Sequence, residues 1–155
     1  MLYFAYGSNM DWTQMQTRCP QAQFLFNATL PGYQLEFTHQ RINNRGGAAD
    51  AVERQGRTVW GVVYHLEDSD LPGLHQAEGY QPGRDRNSYV PVTVVVLPDF
   101  ERPSLLRVVT FTVRRKLEGH QHPSREYLDR ILAGAKHWNL QTDYQAMLEK
   151  IETRQ

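Results

Sequence analysis

The spacing of apolar and polar positions changes character along the chain. Leu2 to Tyr6 is a short apolar and aromatic run closed by Gly7, the pattern of a buried strand ending in a tight turn. A helix is expected next, with Ser8 or Asn9 as its cap and Asp11 in its first turn. It stops at Cys19-Pro20, because proline cannot continue the hydrogen-bond ladder. Phe24 to Leu30 and Tyr33 to Thr38 are β-type segments on either side of Pro31-Gly32, which reads as the turn of a hairpin. Asn43 to Gly47 reads as irregular and leads into the small residues of Gly47 to Val52, a strand pressed against another backbone. After a turn-like Gln55-Gly56, Thr58 to His65 is the clearest strand in the chain.

Asp68 to Ala77 offers several caps, places Pro72 near a first turn, and sets Leu71, Leu74 and Ala77 at helical spacing. This predicts a short helix ending near Glu78-Gly79. Gln81 to Ser88 is polar and turn-rich, and the β-branched runs Tyr89 to Leu97 and Leu105 to Val113 read as strands joined through Pro98 to Pro103. The last third takes a helical period. Ser124 caps a helix with Tyr127, Leu128, Ile131, Leu132 and Ala135 on one face. Thr142 and Gln145 then form a capping-box pattern ahead of Tyr144, Met147, Leu148 and Ile151. Strands followed by helices, without regular alternation, predict an α+β fold and not a doubly wound sheet.

Composition narrows the class. A chain of 155 residues, 40% hydrophobic and 22% charged, is expected to form one domain over residues 1–155 around a single core. Seventeen basic residues balance seventeen acidic ones, so no overall field draws the protein to nucleic acid or to an anionic membrane surface, and a small-molecule partner fits better. Arg114-Arg115-Lys116 is read as a solvated strand end. No apolar stretch approaches the roughly 20 residues needed to span a bilayer. One cysteine, Cys19, excludes an internal disulfide, and the opening run is apolar where a signal would be basic. A cytoplasmic protein is therefore expected, and the Asn27-Ala28-Thr29 sequon is taken as a chance match.

Few residues suit chemistry. The amides around Tyr6-Gly7-Ser8-Asn9, between a strand and a helix, could hold a carboxylate or an oxyanion, or simply open a capped helix. Ser8 lacks the second glycine of a hydrolase nucleophile elbow, so its hydroxyl caps or binds. Cys19 has no activating partner and is read as an inert thiol. His120 and His122 lack further ligands at a recognisable spacing, and no metal is expected. Glu78 is unusual because a helix C-terminus disfavours negative charge. Read alone, it is either an exposed turn residue or a carboxylate that something else compensates.

Taken together, Leu-Tyr-Phe-Ala-Tyr-Gly-Ser-Asn at 2–9, Val-Trp-Gly-Val-Val-Tyr at 59–64 and Glu78-Gly79 form an ordered series with Tyr89, Pro-Ser-x-x-Tyr at 123–127, Gly134-Ala135 and Tyr144. Over most of the chain this series resembles the γ-glutamylcyclotransferase family, with its AIG2-like fold. The resemblance implies a mixed, barrel-like sheet surrounded by a few helices, with a cavity at its mouth. It implies that Glu78 is the catalytic acid/base, and that Tyr3, Phe4, Ala5, Tyr6, Gly7, Ser8, Asn9, Tyr89 and Tyr127 bind substrate. No cofactor is called for, and the chain would act as a monomer or homodimer. The implied reaction converts γ-glutamyl amino acids or amines to 5-oxoproline and the free amine. The alternatives are a noncatalytic small-molecule-binding module on the same fold, or a cyclotransferase for γ-glutamylamines or a specialised metabolite. Asn44 and Arg45, Tyr80, and the charged loop from Gln81 to Ser88 depart from the family pattern, which bears on substrate preference. The acid/base role also requires that apolar neighbours such as Leu74 and Tyr80 raise the Glu78 pKa to roughly 6 or 7.

Overall fold

The computed structural model describes residues 1–40, 46–119 and 121–154. Five strands close into a barrel in the order β1-β3-β2-β4-β5: β1 (Leu2–Ala5), β2 (Gln23–Gln40), β3 (Gly47–His65), β4 (Tyr89–Pro98) and β5 (Leu106–Val113). Neighbours run antiparallel except at the seam, where β1 pairs parallel to β5 at Tyr3 and Val109. The ring is completed where β2 meets β4 at Ala28 and Thr29 and where β1 meets β5. Among the described residues four α-helices accompany it: α1 (Trp12–Arg18), α2 (Leu71–Ala77), α3 (Arg125–His137) and α4 (Thr142–Glu149). Among the described residues no helix is long and apolar enough to cross a membrane.

Four local expectations are corrected. Pro31-Gly32 does not reverse the chain: β2 runs straight through it, and β3 runs through Gln55-Gly56. Pro31 faces Thr58 and Tyr33 faces Glu53, so Gly32 alone lies opposite residues 54–57. Gly32 and Gly56 both take positive φ, 82° and 81°. The same glycine freedom that builds a reversing turn here builds an irregularity that bends a long ladder. The first helix is capped by Asp11, whose side chain accepts from the amides of Thr13 and Gln14, because a 3-10 turn over Ser8–Met10 comes before it. Gln141, one residue ahead of Thr142, caps α4.

The fourth correction concerns the basic run after β5. Lys116 is not merely solvated: its Nζ lies 2.7 Å from Oδ2 of Asp50, which is fully buried. Asp50 also accepts from the Thr38 hydroxyl at 2.7 Å and the Val113 amide at 2.9 Å. A buried carboxylate is tolerated only when so satisfied, and this one ties β2, β3 and the end of β5 together. Asn43, Asn44, Arg45 and His120 lie outside the described residues.

Ser124 caps α3, with Oγ accepting from the Tyr127 amide. Phe4, Val62, Val63 and Tyr64 are inaccessible to solvent, so β1 and β3 are covered on both faces, Tyr64 packing against Trp12 and Trp138. The amide of Asn27 donates to the Trp138 carbonyl at 2.8 Å, so that side chain is engaged within the fold.

What matters for function is how the barrel holds the 3-10 turn. Tyr64 on β3 donates its hydroxyl to the Asn9 carbonyl at 2.8 Å, and Trp138 after α3 donates its indole N–H to the Met10 carbonyl at 2.9 Å. Gly134 in α3 lies so close that a Cβ there would overlap the Met10 backbone. Backbone cannot swing aside as a side chain can. Gly134→Ala is therefore expected to destabilise the protein by about 1–3 kcal/mol through overpacking, read as a lower urea midpoint with unchanged m-value.

Candidate active site

A cavity of about 1060 Å³ opens beside the 3-10 turn, and Glu78 and Asn9 are both on its wall. Glu78 is the C-cap of α2, and Gly79, at φ 62°, turns the chain away after it. The residue is half-buried. Its Oε1 accepts from Nδ2 of Asn9 at 3.1 Å and from the Tyr3 hydroxyl at 3.5 Å. Burial pushes the carboxyl from 4.5 up to about 7, against the opposing pull of the Arg18 charge and the Tyr3 hydrogen bond. The helix-end carboxylate that looked uncompensated is thus met by donors from β1 and from the turn.

Asn9 is buried and fully engaged. Its Nδ2 also donates to the Tyr3 hydroxyl at 3.0 Å, while its Oδ1 accepts from Nη1 of Arg18 at 2.7 Å and Nε2 of Gln14 at 3.4 Å. Gln14 donates to Oγ of Ser8 at 2.9 Å. Ser8 therefore faces an amide and not a base, in keeping with a binding or capping hydroxyl.

The other walls are phenolic. Tyr127 on α3 accepts from the Ala49 amide at 3.0 Å, and Tyr89 donates to the Ala49 carbonyl at 2.5 Å. Tyr6 donates to the Phe111 carbonyl at 2.5 Å. Burial raises Tyr3, Tyr6 and Tyr89 well above 10, so these phenols are neutral donors and acceptors near pH 7. Cys19, fully buried and pushed up to about 11 by desolvation, is unreactive at neutral pH.

Of the residues singled out from sequence, Glu78, Tyr3, Tyr6, Gly7, Ser8, Asn9, Tyr89 and Tyr127 all line this one cavity. Phe4 and Ala5 do not. Phe4 is buried in the barrel interior, filling the space a side chain at Gly61 would need, and Ala5 is equally buried with its carbonyl against the same glycine. Inside a strand, neighbours point to opposite faces, so Phe4 turns away from the face that carries Tyr3. The sequence reading passed over Gln14, Arg18, His39 and Arg130, which also line the cavity. Gln14 and Arg18 lie four apart, hence on one face of α1, and that polar pair was the available signal. Among the described residues no three His, Cys, Asp or Glu side chains converge as a metal site.

The fold and cavity define a small closed-barrel protein with a desolvated carboxyl on the wall of a cavity beside the 3-10 turn. A family model described as the AIG2-like family matches residues 58–148. Gamma-glutamylcyclotransferase of Bos taurus is 34% identical, the match covering 97% of this chain and 78% of that protein, and that of Homo sapiens is 32% identical over the same shares. A solved gamma-glutamyl cyclotransferase superposes with a TM-score of 0.87 at 30% identity, covering 99% of this chain and 89% of that one. YkqA from Bacillus subtilis superposes at 0.80 with 28% identity, covering 99% of this chain and 56% of that one. The chain belongs to the γ-glutamylcyclotransferase family and is an enzyme of that type.

The raised pKa has a thermodynamic counterpart. The folded protein favours the neutral carboxyl, so this contribution is fully present below about pH 4.5 and is lost as pH rises through about 7. Glu78→Gln, which stays neutral, is expected to gain stability over wild type as pH rises. The gain at about pH 8.5 should exceed that at about pH 5 by about 1–3 kcal/mol, after discounting for partial exposure. Urea unfolding at the two pH values measures it.

Proposed function

We propose that the protein converts γ-glutamyl amino acids to 5-oxoproline and the free amino acid, with Glu78 as the single general acid/base. The observation that carries this reading is a carboxyl raised to about 7 in the cavity that the Gly7-Ser8-Asn9 turn also lines.

The chemistry is an intramolecular acyl transfer. The substrate's α-amine attacks its own γ-carbonyl carbon, a C–N bond forms, and the carbonyl oxygen takes up negative charge. Glu78 removes a proton from the attacking nitrogen and returns it to the leaving nitrogen as the original amide bond breaks. No water is consumed. Ring closure makes positioning a large part of the rate enhancement. The amides that begin the 3-10 turn at Ser8, which no helix start can satisfy internally, suit the developing oxyanion or the substrate carboxylate. Among the described residues the hydrogen bonds to Glu78 fall on Oε1, which leaves Oε2 as the oxygen to meet the amine.

Proton transfer explains the value of the raised pKa. An α-amine near 7.7–8.0 lies about 3.4 units above an ordinary glutamate but about one unit above this one, so the uphill step falls from about 4.6 to about 1.4 kcal/mol. That difference of about 3 kcal/mol is worth on the order of a hundredfold in rate. A noncatalytic binder would have no use for it. Arg130, Arg154 and Glu126 also line the cavity, with Arg130 lying 3.8 Å from Asp11 and 3.6 Å from Glu126.

Glu78→Gln is expected to lower 5-oxoproline turnover by about 10²-fold or more with KM changed less than about threefold, checked by product assay on a panel of γ-glutamyl amino acids. Near-normal turnover by this variant would refute the assignment.

A further inference from the structure

We propose that Arg18 is a positioning residue of the reaction: it holds the Asn9 side-chain amide so that the NH2 group, and not the carbonyl, meets Glu78. The inference deepens the proposed function and rests on Glu78 being the acid/base.

A primary amide can present either end to a neighbour, and the two ends have opposite effects on a carboxylate. The guanidinium of Arg18 has only donors, so the Asn9 atom 2.7 Å from its Nη1 must be the carbonyl oxygen. Gln14 Nε2, a second donor, meets the same oxygen at 3.4 Å. With the oxygen so held, Nδ2 is turned toward Oε1 of Glu78 at 3.1 Å and the Tyr3 hydroxyl at 3.0 Å. Rotated by half a turn, the amide would set its oxygen against the carboxylate and two sets of donors against each other. Arg18 and Gln14 together remove that alternative.

Arg18 is itself held in register with Glu78. Its carbonyl packs where a side chain on Gly73 of α2 would stand, and α2 ends at Glu78. Asp70, at the head of α2, is buried and accepts from the Gln21 amide at 3.0 Å, just beyond α1. The two helices thus carry the two ends of the chain Arg18–Asn9–Glu78 as one unit. Among the described residues no carboxylate lies within ion-pair distance of Arg18, so its charge acts on the Asn9 and Glu78 side chains.

The groups that interact electrostatically with Glu78 are Tyr3 of β1 and Tyr6 just after it, Arg18 and Cys19 at the end of α1, and Tyr89 of β4. The tyrosines and the thiol are neutral through neutrality, their acidities suppressed by burial. His39 of β2, Glu126 and Arg130 of α3, and Arg154 line the cavity too, and they are common to every variant compared. Arg18 is the permanent charge among the groups acting on Glu78, and its loss removes both the amide's anchor and a favourable field on the carboxylate.

The test is the pH profile of kcat/KM for 5-oxoproline release from about pH 5.5 to about 9, with folding checked by circular dichroism. In Arg18→Met the acidic limb is expected to move up by about half a unit to one unit, with kcat lowered and KM within about threefold of wild type. Arg18→Lys, which keeps the charge and a donor, should return the limb to within about 0.2 unit of wild type. Should Arg18→Met not fold, Arg18→Leu, neutral and without a donor, is judged by the same limb. A limb in the neutral variant that overlays wild type, or a loss confined to KM, overturns the inference. Glu78→Gln separates the two layers. If it is inactive while Arg18 variants leave the limb in place, only the role of Arg18 fails; if it is active, the acid/base reading itself fails.

Discussion

A carboxyl group taken out of water at the negative end of a helix is the constraint around which the site is arranged. Placed there without partners, Glu78 would remain protonated or turn outward. The structure supplies two donors, the Asn9 amide and the Tyr3 hydroxyl, and one positive charge behind them. These oppose burial without cancelling it, and the carboxyl settles at about 7. A group at that value can both take and give a proton at neutral pH, which is what one residue serving two steps must do.

The rest of the fold can be understood as the means of keeping that balance. One donor, the Asn9 amide, sits on a 3-10 turn too short to hold its own shape, so its carbonyls are bonded from outside by Tyr64 of β3 and Trp138 after α3. Gly134 lets α3 approach the turn to backbone distance. On the far wall, the Tyr127 and Tyr89 hydroxyls clamp the peptide groups of Ala49. The adjacent Asp50 anchors that part of β3 to β2 and β5. A closed barrel adds rigidity, since no strand can shift without disturbing two neighbours.

Much of this could be read in the amino-acid sequence, for definite reasons. Strands rich in Val and Tyr, the α3 period and its Ser124 cap follow from local rules, and the structure obeys them. The motif order carried the family and barrel, and brought Glu78 together with the Tyr6–Asn9 turn. What was misread depended on partners distant in sequence. Pro31-Gly32 has the same chemistry whether it reverses a chain or bends one, and only the ladder with β3 decides. Lys116 looks like any exposed lysine until Asp50 is placed beneath it. Phe4 shares a motif with Tyr3 but points to the other face of β1. Gln14 and Arg18 belong to the site because α1 folds back over the turn.

The central claim is that Glu78 titrates near neutrality in the resting protein. Its side-chain carboxyl can be followed by carbon-13 NMR in protein labelled at glutamate Cδ, the resonance being assigned by its loss in Glu78→Gln. A titration midpoint near pH 7 is expected. A midpoint at or below about 5, within the range of ordinary exposed glutamates, would contradict it.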